Sequence, residues 1–548
     1  MNGSEKMIAL LSNVTVDLIV GKLRRKYDFY IPEGFDTWVQ EAINPKARLY
    51  NSDLDGVVVL LDGTEARSWK SIEEGNERIS LWKRALRDVI TRITNIPVFV
   101  STIDFRENRI KSLSERKVRI ELENDWYQFV QELVESRGNV YVIDLADSVA
   151  DVGRKQFYSN KMWYMSSMPY SRDGLNVVSQ EIDRALCSAF TSRKKIIALD
   201  LDNTLWGGIV GEDGVEGIEL SDHKEGQRFY DFQRQLLEMK NRGIVLAVNS
   251  KNNPGDAEVA IQEHPAMLLR DDAFVSRKIN WENKAVNLKN MERELNLTEN
   301  GFIFIDDNPV ERETVKGECP GVTVPDFPAD SSELLPFAED IWFDYCRPLR
   351  VLGEDLKKTQ MYQSEAKCQQ EMNESLNLDD YIRKLEMQAD IHRMRPEELE
   401  RVTQLINKTN QFNVTTKRYT QAEVQELAET EAVYVVYSSN KYGDSGLISV
   451  IILKEEGQEV LIDSFIMSCR VMGRQLENVI INELAAKYIG KIFKAEYIPT
   501  AKNTPVKDLY DRLGFILVSD GERKEYEMPL EDYIKKDFKS YKRITCED

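Results

Sequence analysis

The stretch KKIIALDLDNT (194–204) decides how the middle of this chain is read. Its first half is an unbroken apolar run, the pattern of a strand covered on both faces of a sheet. Its second half carries Asp200 and Asp202. Two positions apart on an extended backbone, both carboxylates face the same way at the strand's carboxyl end. In open parallel sheets that end is where ligands gather. Two later stretches repeat the pattern. GIVLAVNS (243–250) ends in Asn249-Ser250, and GFIFIDD (301–307) ends in Asp306-Asp307.

Phosphoryl transfer through carboxylates needs one as nucleophile and a second as general acid and base. Asp200 fits the first role and Asp202 the second. Magnesium offsets the phosphate's charge and takes hard oxygen ligands. Asp200, Asp202 through its carbonyl, Asp306 and Asp307 are the candidate ligands. Thr204, Ser250, Lys251 and Asn252 are placed to hold phosphoryl oxygens, and Lys284 in NWENKA supplies the cation that stabilises the transition state. The gaps from Thr204 to Asn249 and from Ser250 to Lys284 are both too short for a large cap domain. The site is therefore expected to be uncapped, with access restricted by other parts of the chain.

Working outward, the 548 residues are too many for one core. The composition, 42% hydrophobic and 30% charged, is that of a globular protein. No apolar run approaches the roughly 18–20 residues of a membrane span, and the first residues lack the marks of a signal peptide. A cytoplasmic protein with no membrane partner is expected. The six cysteines are scattered without a CxxC pair, so neither a zinc site nor a disulfide framework is suggested. A net charge of −20 argues against a nucleic-acid partner, and an acidic partner would need a local basic patch.

The reading is an α/β protein of three domains. In 1–192, strands MIALLSN, DGVVVLLD, IPVFVST and NVYVIDL alternate with helical stretches, which predicts a doubly wound parallel sheet. Residues 193–348 hold the aspartate site, with KIIALDLD, GIVLAVNS and GFIFIDD as strands. The polar segment 349–385 reads as a solvated connector helix. Residues 386–548 read as a strand, two helices, a hairpin, the strand EVLIDSFIMS, a helix, KIFKAEYIPT, a short helix and FILVS.

DxDxT, a strand-end serine, a lysine and a strand-end Asp-Asp, in that order, match the four motifs of the haloacid dehalogenase (HAD) superfamily. DLDNTLWGGIVGEDG (200–214), NSKNN, INWENKA and FIDDNPVERE sharpen this: the chain resembles the FkbH-like proteins, HAD subfamily IIIC. The resemblance covers nearly the whole length. It extends to the N-terminal stretches SNVTVDLIVGKL, WVQEAINPKARLY and VVVLLDG and to SCRVMGRQLE (468–477). It implies a bifunctional phosphatase and acyltransferase of polyketide or related natural-product pathways. Such an enzyme takes 1,3-bisphosphoglycerate, a small phosphorylated three-carbon acid, releases phosphate and loads the glyceryl group on an acyl carrier protein. Magnesium and the carrier's phosphopantetheine are the implied cofactors. Members often read CSKN at the second motif, where this chain has Asn249.

The last domain resembles the GNAT acyltransferase fold. Its loop RVMGRQ (470–475) fits [RQ]xxGx[GA] except at Gln475, which implies pantetheine binding by Arg470, Gly473 and Arg474. Cys469, beside that loop and next to Arg470, is a candidate acyl-bearing nucleophile or a packed strand-end cysteine. Tyr510 matches the tyrosine that acts as general acid toward the leaving thiol, or packs as an ordinary aromatic. The first domain resembles SGNH hydrolases, with Ser12-Asn13 after its first strand. The three histidines, His223, His264 and His392, all lie beyond it. A Ser–His hydrolase there is not expected, and a docking or scaffold role is. Two alternatives stand beside the glyceryl-transfer reading. One is an uncapped HAD phosphatase acting on another phosphoester; the other is a non-enzymatic scaffold that binds carrier protein.

Overall fold

A computed structural model describes residues 6–106, 110, 118–295, 297–350, 358–373, 375, 377–468, 471–500 and 502–547. The chain forms two compact units, Met1–Ser192 and Arg193–Asp548. The first holds a five-stranded parallel sheet: β1 (Lys6–Ser12), β2 (Tyr27–Tyr30), β3 (Gly56–Leu60), β4 (Val98–Ser101) and β5 (Val140–Ile143). Their order is β2-β1-β3-β4-β5, a doubly wound arrangement. The expected strands are present. β2 (YDFY) was not expected, because four residues of mixed polarity carry no periodicity. Ser12 ends β1, and its hydroxyl accepts from Val14 N–H at 3.2 Å, a turn contact. Asn13 clasps the backbone of Asp62, donating to its carbonyl and accepting from its N–H, both at 2.9 Å.

The second unit carries two sheets. One is parallel, in the order β8-β7-β6-β9, from β6 (Ile196–Leu199), β7 (Val245–Ser250), β8 (Phe274–Ile279) and β9 (Phe302–Ile305). The other has eight strands: β10 (Gln388–Arg393), β11 (Ala432–Asn440), β12 (Gly443–Glu456), β13 (Glu459–Met467), β14 (Ile492–Tyr497), β15 (Ile516–Asp520), β16 (Lys524–Pro529) and β17 (Arg543–Cys546). Their order is β15-β16-β14-β13-β12-β11-β10-β17. β13 and β14 run parallel, and the helix Leu476–Lys487 crosses between them. They pair only at Glu459–Ile462, after which β13 departs. Its freed edge is taken by the chain's own residues 412–415. Val414 N–H donates to Phe465 at 3.4 Å, and Met467 N–H donates to Phe412 at 3.1 Å.

The segment expected as a solvated connector is not one. It forms two helices, Lys358–Asn373 and Leu378–Leu385, and the first is shared by both cores. Met361, Tyr362 and Cys368 are buried. Tyr362 packs in the cluster beneath the four-stranded sheet and Cys368 in the cluster of the eight-stranded one. Gln363 Nε2 donates to the Phe274 carbonyl at 3.1 Å, and Ser364 Oγ to the Tyr442 carbonyl at 2.8 Å. Apolar side chains seven residues apart face one side of a helix, and that sparse stripe is hidden in a polar sequence. No helix among the described residues is long and apolar enough to cross a membrane.

Gln475, the position at which the loop departs from the expected pattern, sits in the left-handed region at φ 58°, as the N-cap of the Leu476–Lys487 helix. That conformation costs an L-residue about 1 kcal/mol and glycine almost nothing. Gln475→Gly is expected to stabilise the protein by about 0.5–1 kcal/mol, read as a higher urea midpoint at unchanged slope. A lower midpoint would mean that the glutamine side chain makes a compensating contact.

Candidate active site

The aspartate loop is shaped locally. β6 continues into Asp200, whose N–H donates to the Ile305 carbonyl at 2.9 Å. Asn203 then takes a left-handed φ of 54°, and Leu205 N–H closes back on the Leu201 carbonyl at 2.8 Å. This turn brings Asp202 round so that three donors fix its carboxylate. Oδ1 accepts from Trp206 Nε1 at 2.9 Å and from Val210 N–H at 3.0 Å, and Oδ2 accepts from Asn252 Nδ2 at 2.8 Å. Asn252 comes from the loop after β7, so the second strand end holds the second aspartate in place. The segment 205–226 holds one four-residue helix and a Gly207–Glu219 bridge, and no cap domain.

Lys284 begins the helix Lys284–Glu294 and is almost fully buried. Its Nζ lies 2.9 Å from Asp200 Oδ2 and 2.5 Å from Asp306 Oδ2. Carboxylate oxygens of Asp200, Asp306 and Asp307 all lie within 4.8 Å of one another. Burial, then the Asp200 charge, pushes the Asp306 and Asp307 carboxyls above the usual range. Burial alone would lower the Lys284 ammonium; the charges of Asp200 and Asp306 outweigh it and raise it. Three carboxylates against the Lys284 ammonium and the nearby Arg312 guanidinium still leave negative charge uncompensated. A hard dication with oxygen ligands fits that deficit. The Asp202 carboxylate is committed elsewhere and lies outside this cluster, which leaves its carbonyl as the group it can offer a metal.

Other expected residues are placed less simply. Ser250 ends β7 and is buried, and Asn252 is buried beside Asp202. Lys251 is ion-paired to Glu311 Oε1 at 2.7 Å. Thr204 is fully buried, and its hydroxyl has no hydrogen-bond partner among the described residues. On the eight-stranded sheet, Tyr510 is buried against Phe515 and Tyr526, with its hydroxyl likewise unpartnered. Gly473, at φ 79°, has open space where a side chain would stand. Arg474, expected beside pantetheine, is buried, and its carbonyl accepts from Tyr541 OH at 2.7 Å. Cys469 and Arg470 lie outside the described residues.

Two supporting residues escaped the sequence reading. Arg312 Nη1 donates to the carbonyls of Asp306 and Asp307, at 2.8 and 2.7 Å, and clamps the Asp-Asp turn. Asn249 stands where the resembled family often has cysteine, and its amide is wholly engaged. Nδ2 donates to the Lys284 carbonyl at 2.9 Å, and Oδ1 accepts from Asn287 Nδ2 at 3.1 Å. It latches the strand end to the helix that carries Lys284. Neither role has a periodic signature in sequence.

The chain is similar to a solved structure from Bacteroides fragilis, the magnesium complex of the N-terminal part of a protein containing a phosphatase domain. The identity is 26% and the TM-score 0.58, over 62% of this chain and 94% of that one. An Escherichia coli ribosomal-protein alanine N-acetyltransferase aligns at 10% identity and TM-score 0.21, over 27% of this chain and 99% of that one. An acetyltransferase from Thermus thermophilus aligns at 16% and 0.21, over 27% and 99%. TM-scores that low carry no weight here. No family model matches the sequence, and no curated protein matches it.

Proposed function

We propose that the protein is a magnesium-dependent phosphotransfer enzyme that releases phosphate from a phosphorylated glycerate and passes the acyl group to a carrier-protein thiol. The observation that carries the first half is Lys284, held between Asp200 and Asp306, together with an Asp202 whose carboxylate is fixed by three donors. Similarity to a magnesium-bound phosphatase-domain structure supports it.

Asp200 Oδ2 is engaged by Lys284, which leaves Oδ1 to attack phosphorus and form an aspartyl phosphate. Asp202 protonates the departing oxygen of the ester-linked phosphate; the acyl phosphate is consumed separately, when the carrier thiolate attacks its carbonyl carbon and phosphate departs as the leaving group, because cleavage at phosphorus there would leave an unactivated carboxylate. Each carboxylate oxygen has room for about two hydrogen bonds. Oδ1 of Asp202 already accepts two and Oδ2 one, so Oδ2 is the atom that carries the proton. The same oxygen then takes a proton from the water that attacks the aspartyl phosphate, and phosphate leaves. Lys284 offsets charge on Asp200 throughout. Magnesium, held by Asp200, Asp306 and Asp307, would screen the phosphoryl oxygens and orient them for in-line displacement.

The acyl half rests on the resemblance to the glyceryl-loading family and on an acyltransferase-like sheet in the same compact unit. There Gly473 has open space where a Cβ would stand, and the buried Tyr510 hydroxyl has no partner among the described residues. The test is to incubate the full chain with magnesium, 1,3-bisphosphoglycerate and holo carrier protein, and to record intact masses. A glyceryl adduct on the carrier's pantetheine is expected. Phosphate release without any adduct would reduce the protein to a phosphatase; no release from any phosphoester would leave only the scaffold.

A further inference from the structure

The helix Asn160–Ser166 (NKMWYMS) in the first unit buries none of its residues. Tyr164 is 83% exposed and Met165 71%. Such side chains contribute nothing to the core where they stand, and clustered exposed apolar groups mark contact surfaces. The helix is fixed in place. Thr15 N–H donates to the Ser167 carbonyl at 3.2 Å, and Thr15 Oγ1 to the Ser166 carbonyl at 2.6 Å.

Its first residue gathers positive charge. Asn160 Oδ1 accepts from Arg67 Nη1 at 2.7 Å and from Arg106 Nη2 at 3.4 Å. Two guanidiniums thus converge on one neutral oxygen; Arg106 also lies over the Tyr158 ring and feels the charges of Asp62 and Asp104, but neither arginine is within ion-pair distance of a carboxylate among the described residues. The acids nearby are engaged. Asp104 accepts from Arg154 Nε at 2.9 Å and from Tyr158 OH at 3.1 Å, Asp62 accepts from Thr64 N–H at 2.8 Å, and Glu65 pairs with Arg78. Lys161, exposed on the same helix, adds a further positive charge. In a chain of net charge −20 this is the kind of local basic patch that an acidic partner requires.

We propose that this face, Tyr164 and Met165 with Arg67, Arg106 and Lys161, is where the acidic carrier protein docks. The proposal rests on the function given above and assigns its partner a surface. An apolar centre beside cations, of which Arg67 and Lys161 are exposed, suits a partner that presents an apolar patch rimmed by carboxylates. The cations steer the encounter, and the aromatic and methionine side chains hold the complex.

The test uses the full chain and holo carrier protein, measuring the dissociation constant at several salt concentrations. Tyr164→Ser/Met165→Ser is expected to weaken carrier binding about tenfold or more. Arg67→Gln/Arg106→Gln should weaken it and flatten its loss with salt. Both variants should release phosphate from p-nitrophenyl phosphate at the wild-type rate and keep the wild-type circular dichroism and thermal melting of both units, which shows that they are folded and active. Unchanged carrier binding in both would overturn the proposal. So would a wild-type dimer that Tyr164→Ser dissolves, since the face would then belong to a second copy. Carrier that binds through this face but gains no glyceryl group would overturn the acyl-transfer reading alone; a wild type that neither binds nor loads carrier overturns both.

Discussion

Asp200→Asn is expected to lower phosphate release by on the order of 10⁴-fold, because in the proposed mechanism it removes the carboxylate that attacks phosphorus. The substitution keeps the shape of the side chain and the backbone bond to Ile305. It deletes one negative charge from a clustered group of three, two of them buried, so the fold should not suffer. In the absence of metal the variant should be at least as stable as the wild type, since the repulsion that raises Asp306 and Asp307 is partly relieved. Steady-state release from a small phosphoester, with thermal melting as the folding control, reads both effects. Release within tenfold of wild type would show that the nucleophile is misassigned.

The second large effect is on stability. Lys284 is 3% exposed at its side chain and bonds two carboxylates exposed 10% and 0%. Replacing it with methionine keeps the volume and removes the compensating charge. Breaking a buried ion pair from one side costs about 3–5 kcal/mol, because the partner charges stay buried. Lys284→Met should therefore be destabilised by about that amount in a chelating buffer. Magnesium should restore part of the loss, since a ligand that binds only the folded state stabilises it by mass action. Urea unfolding with chelator and with magnesium gives the comparison. Equal stability of variant and wild type in chelator would mean that the ammonium is not what holds the carboxylates together.

Much of this was legible in the sequence for a physical reason. A strand buried on both faces must be apolar throughout, so its polar end stands out. Asp200, Ser250 and Asp306 were therefore visible as strand ends, and Lys284 fell between them in order. β8 was missed because Ser276, Arg277 and Lys278 break its apolar run at the sheet's edge. β16 and β17 were missed for a similar reason: KEYEMP and RITC carry their pairing in the backbone rather than in an apolar pattern. The Asn249 latch and the Arg312 clamp depend on which atoms meet across loops, and no spacing rule encodes that. The connector misled because Met361, Tyr362 and Cys368 are few among charges, although their spacing suits one helix face.

That helix has a consequence for how the chain can be divided. Its Tyr362 end completes one core and its Cys368 end another. A cut on either side gives the helix to one half and leaves a gap in the other, as when a keystone is taken from one of two arches. The four-stranded sheet and the eight-stranded sheet are thus joined by shared packing as well as by a covalent tether. Loosening of one reaches the other through a single rigid element, so neither is a module that can be lifted out and expected to keep its shape.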